Sequence, residues 1–542
     1  MNADNDMNQH EPLYYLRDDA YFEPLLHKWY VWPYLLPPVT AAMNLTGRNL
    51  RLMKSFVANA QLHIAASQNR GLAGGDFVNC SADQIDDVRR LIEELEQDNR
   101  DYFDLRQGVT ALNALLETQT GMSMEQLYGQ VPDVLRGYVE LVYDMNHHAS
   151  FRLIEGLLYA GPLYKRAGQS VSFGLLSRVD QRPFVLSSPR LPDGNHLHAD
   201  VRLDDPWLDR VFALRTVPAS QATLDALFAQ QRLTGGLDYQ SLFTTTPPSR
   251  VHAAPRDGVR VTYVGHAGLL VETADVAVLV DPVIASRDGK HDDAIVSYSE
   301  LPAFIDYVCI THTHMDHTCI ETLLQLRHKI GTVLVPKNSG GNLVDPSIKL
   351  MLQALGLPVR ELEDMERIAC AGGHILAVPF LGEHADLNIR SKTAWYFELH
   401  GRRIFAGADA ASLDERLYQR IHAITGDLDM LFIGMECVGA PMSWLYGALF
   451  TKPVPRAVNE SRRFNGSDFV LASRLVDIFR PRHVGIYALG MEWWFRYFMG
   501  VDYDDDARQI VESDQLLRFC GERDVPAERL AAKRVWNLEP KS

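Results

Sequence analysis

Apolar and polar positions along this chain fall into two regimes. From Val261 onward, short apolar runs recur, each bounded by Gly, Pro or charged residues, the pattern of buried strands. Val261–Val271 reads as two strand halves around the turn Gly265-His266, and Val276–Val280 is a strand ending in Asp281-Pro282. Further strands are predicted at Tyr307–Ile310, Ile375–Phe380, Arg403–Ala406, Met430–Met435 and Val484–Tyr487. Before this region the periodicity is largely helical. Ser81 is placed to cap a helix whose buried face is Ile85, Val88, Leu91, Ile92 and Leu95. Strand signals there are few, with Phe184–Leu186 and Leu197–Val201 the candidates. A Thr/Pro/Ser-rich stretch from Thr244 to Asp257 separates the regimes. The expected organisation is residues 1–245 as a mainly α-helical N-terminal domain with a few short strands, 246–257 as a linker, and 258–542 as a second domain.

The strand Tyr307–Ile310 runs into Thr311-His312-Thr313-His314-Met315-Asp316-His317. On an extended segment, side chains two apart point the same way, so His312 and His314 can reach one metal ion. Asp316 and His317 follow in the turn and can reach a second ion beside it. Three imidazoles and a carboxylate crowded at a strand end have few structural uses. A dinuclear metal site is predicted.

Composition narrows the function. The 542 residues carry a formal charge of −16, which argues against nucleic acid as partner because phosphates require a basic surface. No apolar run approaches the length needed to span a bilayer, and Met1–Pro12 has no leader pattern. The six cysteines are scattered without a CxxC, as for reduced thiols in a cytoplasm. The expected protein is cytoplasmic, with no membrane and no nucleic acid.

The order strand, Gly-His turn, strand, Asp-Pro, strand, HxHxDH resembles the first half of the αββα sandwich of the metallo-β-lactamase superfamily. That resemblance implies an α+β fold and a bridging Asp after a later strand. Asp409, which follows Arg403–Ala406, fits that position; a carboxylate can bridge two ions, although Asp after a strand is also a common helix N-cap. Where the superfamily places a ligand His after Ile375–Phe380, this chain has Glu383, with His384 next to it. No His follows Val484–Tyr487, and His483 begins that strand. Exchanging imidazole for carboxylate suits iron or manganese better than a hydrolytic zinc pair.

Longer strings are more specific. Pro379-Phe380-Leu381-Gly382-Glu383-His384-Ala385-Asp386-Leu387, Phe432-Ile433-Gly434-Met435-Glu436, Glu460–Ser467, Val511–Asp514 and Trp29–Pro38 are similar to the di-iron β-hydroxylase family of chloramphenicol biosynthesis, nearly end to end. The resemblance implies a monooxygenase of antibiotic and other nonribosomal peptide synthesis that hydroxylates the β-carbon of an amino acid held as a thioester on a peptidyl carrier domain. It implies two carboxylate-bridged iron ions, dioxygen as co-substrate, an external electron donor or reductase, and a homodimer whose N-terminal domain docks the carrier. Glu383 would be an iron ligand and Asp409 the bridge, beside His312, His314, Asp316 and His317. Glu436 ends a strand near the same edge and reads either as a partner orienting a ligand or as a solvated Glu. The rival reading is a dinuclear-metal hydrolase, a lactonase or thioesterase, with His384 as ligand. Arg462-Arg463 and Arg390-Ser391-Lys392 are candidate contacts for an acidic carrier, or structural ion-pair formers. The aromatic residues Trp444, Tyr446, Trp493, Trp494 and Phe495 would suit an apolar amino-acid side chain.

Overall fold

The computed structural model describes residues 11–179 and 182–541; the stretch Met1–Pro12 read above therefore lies almost wholly outside them. Two seven-stranded sheets pack face to face in the second half of the chain. In the first, Val259–Gly265, Gly268–Glu272 and Ala277–Val280 pair antiparallel, and Ile305–Cys309, Ile330–Pro336 and Val359–Leu362 then add in parallel. The second begins with an antiparallel set, Arg367–Cys370, Gly373–Val378, Ala394–Leu399 and Arg402–Ala406. It continues in parallel through Met430–Gly434, Val484–Tyr487 and Ala527–Arg529. The last strand, Arg534–Leu538, returns to the first sheet beside Val259–Gly265. Apolar residues such as Val261, Leu269, Phe397 and Phe432 fill the space between the sheets. Helices Glu415–Thr425, Phe469–Phe479 and Arg508–Gly521 cover one outer face, and Ile320–Leu326 and Ile348–Ala354 the other. This is the αββα sandwich.

The N-terminal half is helical with several strands. Ser81, read as a helix cap, forms a capping box: its hydroxyl and backbone N–H both meet the Gln84 side chain. Helix Ile85–Asp98 follows, burying Val88, Leu91 and Leu95. Five strands form one sheet in the order Trp29–Tyr30, Ala20–Leu26, Gln169–Leu175, Leu197–Ala199 and Leu233–Gly235. Leu197–Ala199 is the strand expected at 197–201. Phe184–Leu186 is not a strand: it runs without ladder pairing into a turn, and Phe184 packs beside Trp444 instead. Residues 245–258 carry neither helix nor strand.

The two halves share a core and a buried charge network. Glu23 on strand Ala20–Leu26 receives Arg190 (2.7 Å) and Arg182 (2.8 Å); Arg182 also reaches Glu321 (2.7 Å) on helix Ile320–Leu326, to which Tyr30 donates (2.9 Å). Two carboxylates and two guanidinium groups neutralise one another there, the condition under which buried charge is tolerated.

Candidate metal centre

Every predicted site residue lies at the outgoing edge of the sandwich, on loops that leave strand ends. Ile305–Cys309 delivers Thr311–His317, which closes into a turn as His317 N and Thr318 N donate to His314 O. Gly373–Val378 delivers Glu383 and His384, Arg402–Ala406 delivers Asp409, and Met430–Gly434 delivers Glu436. Strand ends hold side chains rigidly while leaving a cleft above them.

Two donor groups result. His312, His314, Glu383 and Asp409 each offer one atom within 4.8 Å of the others, and so do His266, Asp316 and His317. Asp409 stands between the groups, its Oδ2 3.5 Å from His312 Nε2 and 3.1 Å from His317 Nε2. Glu383 Oε1 is 3.0 Å from His314 Nδ1. His266, from the Gly-His turn, was not singled out as a ligand by the sequence; its Nε2 lies 3.0 Å from Asp316 Oδ2. The turn bonds to the position where no His was found, since Ala488 N, just past strand Val484–Tyr487, donates to His266 O. A Gly-His pair between two apolar strand halves was the signal available. His483, at the other end of that strand, pairs with Glu528 and takes no part.

His384 also turns inward. With His312 and His314 it forms an alternative trio of donors. Its Nδ1 is 3.0 Å from the Tyr446 hydroxyl, which also lies 3.1 Å from His314 Nε2. Glu436 projects into the same cavity, and among the described residues its carboxyl makes no hydrogen bond. Burial and the neighbouring carboxylates of Glu383, Asp409 and Asp316 push it well above the usual carboxylate range.

A further ring of groups orients the donors. Asp281, from the Asp-Pro turn, accepts from His317 Nδ1 (2.8 Å), Thr311 Oγ1 (2.5 Å) and Thr311 N (2.7 Å). A carboxylate behind a ligating imidazole fixes its tautomer and raises its basicity. The backbone is strained where these residues sit. His266, Asp281, Ala408 and the whole run from Gly382 to Asp386 have positive φ, a region costly for residues with a Cβ. The cations suggested for carrier contact are committed locally: Arg462 and Arg463 donate to the carbonyls of Ala385 and Gly439, Lys392 to that of Gly382, and Arg390 pairs with Glu363.

The donor set fits two metal ions. Among the described residues His312 Nε2 and His384 Nε2 are buried without hydrogen-bond partners, and four carboxylates converge on one cavity of about 290 Å³. Like charges gathered this way need divalent or trivalent cations to offset their repulsion. Mixed imidazole and carboxylate donors suit iron.

Residues 15–247 match the family model described as the diiron non-heme beta-hydroxylase N-terminal domain, and residues 277–442 that of the beta-lactamase superfamily domain. Over 536 residues, 97% of this chain and the full length of the relative, the sequence is 36% identical to a 4-amino-L-phenylalanyl-[CmlP-peptidyl-carrier-protein] 3-hydroxylase of Streptomyces venezuelae. The chain belongs to the di-iron β-hydroxylase family. The crystal structure of CmlA, a diiron β-hydroxylase from Streptomyces venezuelae, superposes with a TM-score of 0.88 at 35% identity, covering 98% of this chain and all of that one. A metal-dependent hydrolase of Brucella ovis is 24% identical over 198 residues, 31% of this chain and 82% of its own. The hydrolase likeness is thus distant and partial. For a di-iron β-hydroxylase the metals are two irons and the co-substrate is dioxygen.

Proposed function

We propose that this chain hydroxylates the β-carbon of an amino acid held as a thioester on a peptidyl carrier domain of a nonribosomal peptide synthetase. The observation that carries the reading is the near full-length likeness to a carrier-protein 3-hydroxylase, together with a donor set in which Glu383 supplies an oxygen where hydrolases of this fold use imidazole. His312, His314, Glu383 and Asp409 would hold one iron. Asp316, His317 and Asp409 would hold the other, with His266 as an added ligand, and Asp409 would bridge. Bound there, two ferrous ions supply the reductive activation of dioxygen that breaking an unactivated C–H bond demands.

The chain's own residues supply position and exclusion. Asp281 and Tyr446 hold the imidazoles of His317, His314 and His384 in fixed orientations. Phe464, Phe498 and Trp444 wall the cavity and keep water from the reacting carbon. Glu436, the one convergent carboxyl with no imidazole partner among the described residues, faces the substrate space and is assigned to proton handling. Residues 1–245, whose exposed side chains include Leu62 and Met122, are assigned to homodimerisation and carrier docking, 246–257 to the linker, and 258–542 to catalysis. The electrons come from a separate reductase, and the enzyme works in the cytoplasm; no helix of the described residues is long and apolar enough to cross a membrane.

The test is metal content with optical and Mössbauer spectra of protein from iron-supplemented cells, followed by aminoacyl carriers with dioxygen and reductant. Two coupled irons per chain and a product carrying one added oxygen atom are expected. Two zincs, no iron uptake and thioester cleavage would sink the proposal.

A further inference from the structure

The metal cavity has a larger neighbour. A second cavity of about 580 Å³ lies between the N-terminal half and the sandwich, and the two share Ala73, Gly74 and Gly500 in their walls. At this rim two glycine backbones touch. A Cβ on Gly500 would stand 2.7 Å from Gly74 Cα, and both glycines have left-handed φ, +74° and +64°. The rim is held in place from both sides. Trp444 Nε1 donates to Gly74 O (3.0 Å), and Asp502 takes Arg70 (3.0 Å) and Arg496 (3.1 Å) on its two oxygens, joining the 70–75 loop to the 496–502 segment. Ala73 beside it is exposed, so no side chain larger than a methyl group narrows the rim from that loop. Glycine at such a place allows a chain to pass close to the backbone.

The larger cavity has exposed charge at its outer part and, within, apolar residues beside the buried Arg182–Glu321 ion pair. Exposed at its outer part are Trp493 (42% exposed), Arg496 and Lys290. Lys290 forms no ion pair among the described residues, whereas Asp288 nearby is engaged by His291 (3.0 Å) and the deeper Arg182 is neutralised by Glu23 and Glu321. Further in, the wall is Ile284, Ala285, Phe184 and Trp494. Arg496 at the mouth is already paired with Asp502, so Lys290 is the cation left there for an anion; a slender uncharged chain suits the walls, and an aminoacyl group the space beyond the rim.

We propose that the two cavities form one path. The larger takes the phosphopantetheine arm of the carrier, with its phosphodiester at Lys290, and the arm crosses at Ala73, Gly74 and Gly500 to present the aminoacyl thioester to the metal cavity. This rests on the carrier-bound substrate proposed above. It places the carrier domain over the mouth formed by residues near 290 and 493–496, and makes Lys290 and Ala73 determinants of arm binding and delivery.

Two variants of the iron-loaded full-length protein test it. Ala73→Trp plugs the rim from an exposed position without disturbing either left-handed glycine, and should lower kcat on an aminoacyl carrier by about a hundredfold, with iron content and the optical spectrum unchanged. Lys290→Glu should raise KM for the carrier about tenfold with kcat nearly unchanged, and the rise should shrink at high salt. If native protein hydroxylates aminoacyl carriers while both variants do so with native kcat and KM, the path is wrong and the function stands. Native protein holding two irons that leaves every aminoacyl carrier unaltered would overturn the functional reading and the path with it.

Discussion

At the scale of single residues, the adjacent pair Glu383 and His384 decides the chemistry. Both side chains turn to the same imidazoles, and both sit in a left-handed backbone run that a simple strand end would not adopt. Glu383 shares its donor group with Asp409, and His384 is tied to Tyr446 through Nδ1. Glu383→Ala should therefore lose iron from one position and abolish hydroxylation, while His384→Ala should keep both irons; metal analysis after dialysis separates them, and the reverse outcome would restore the hydrolase ligand pattern. Asp281 makes a second case. It belongs to neither donor group, yet it accepts from His317 Nδ1 and twice from Thr311. Asp281→Asn should weaken iron binding roughly 10–100-fold, read by chelator competition, with unaltered circular dichroism. The HxHxDH cluster was legible because it is contiguous and follows a strand. His266 as a donor and Asp281 as its neighbour's support were not, because each lies tens of residues from His317 in sequence and meets it only when the strands pair.

At the scale of elements, the sandwich strands were readable wherever an apolar run ended in Gly, Pro or a charge, since each is buried on both faces. The N-terminal sheet was harder. Ala20–Leu26 is buried at every position although it contains Glu23 and Pro24, and Gln169–Leu175 is buried although it contains Gln169, Ser170 and Ser172. Buried polar residues, Glu23 and Gln169 among them satisfied by tertiary partners, erase the period that sequence reading depends on. Element geometry also aims the carboxylate of Asp409. Between strand Arg402–Ala406 and Asp409 the chain passes through Gly407 and Ala408, and Ala408 has φ +47°. Tyr487, on a strand two places away in the same sheet, accepts on its hydroxyl oxygen from Ala408 N (2.9 Å), while Gly434 N donates to Ala408 O (2.7 Å). Tyr487→Phe leaves a buried N–H unsatisfied, which costs roughly 1–3 kcal/mol. A lower urea midpoint together with reduced iron content is expected; a lower midpoint with normal iron content would mean that the strand holds the fold but not Asp409.

At the scale of the whole molecule, function depends on the two halves staying docked, since the rim of the metal cavity takes Ala73 and Gly74 from one and Gly500 from the other. Acid should weaken the folded molecule. His27 and His198 in the N-terminal half, and His328 at the end of the helix that carries Glu321, are buried mostly away from water, and burial pulls each down to about 4. In the unfolded chain a histidine takes its proton near 6.5. Between these values the unfolded state binds more protons than the folded one, so stability is complete above about pH 6.5, falls as pH drops, and stops falling on this account below about 4. Each histidine contributes at most about 1.4 kcal/mol per pH unit within that window. Urea midpoints of the iron-loaded protein should therefore decline steadily from pH 7 to 5, and His198→Gln should flatten the decline. A midpoint independent of pH over that range would show that these imidazoles are hydrated in solution and that the interior around them is looser than the packing of Trp207, Phe173 and Phe22 requires.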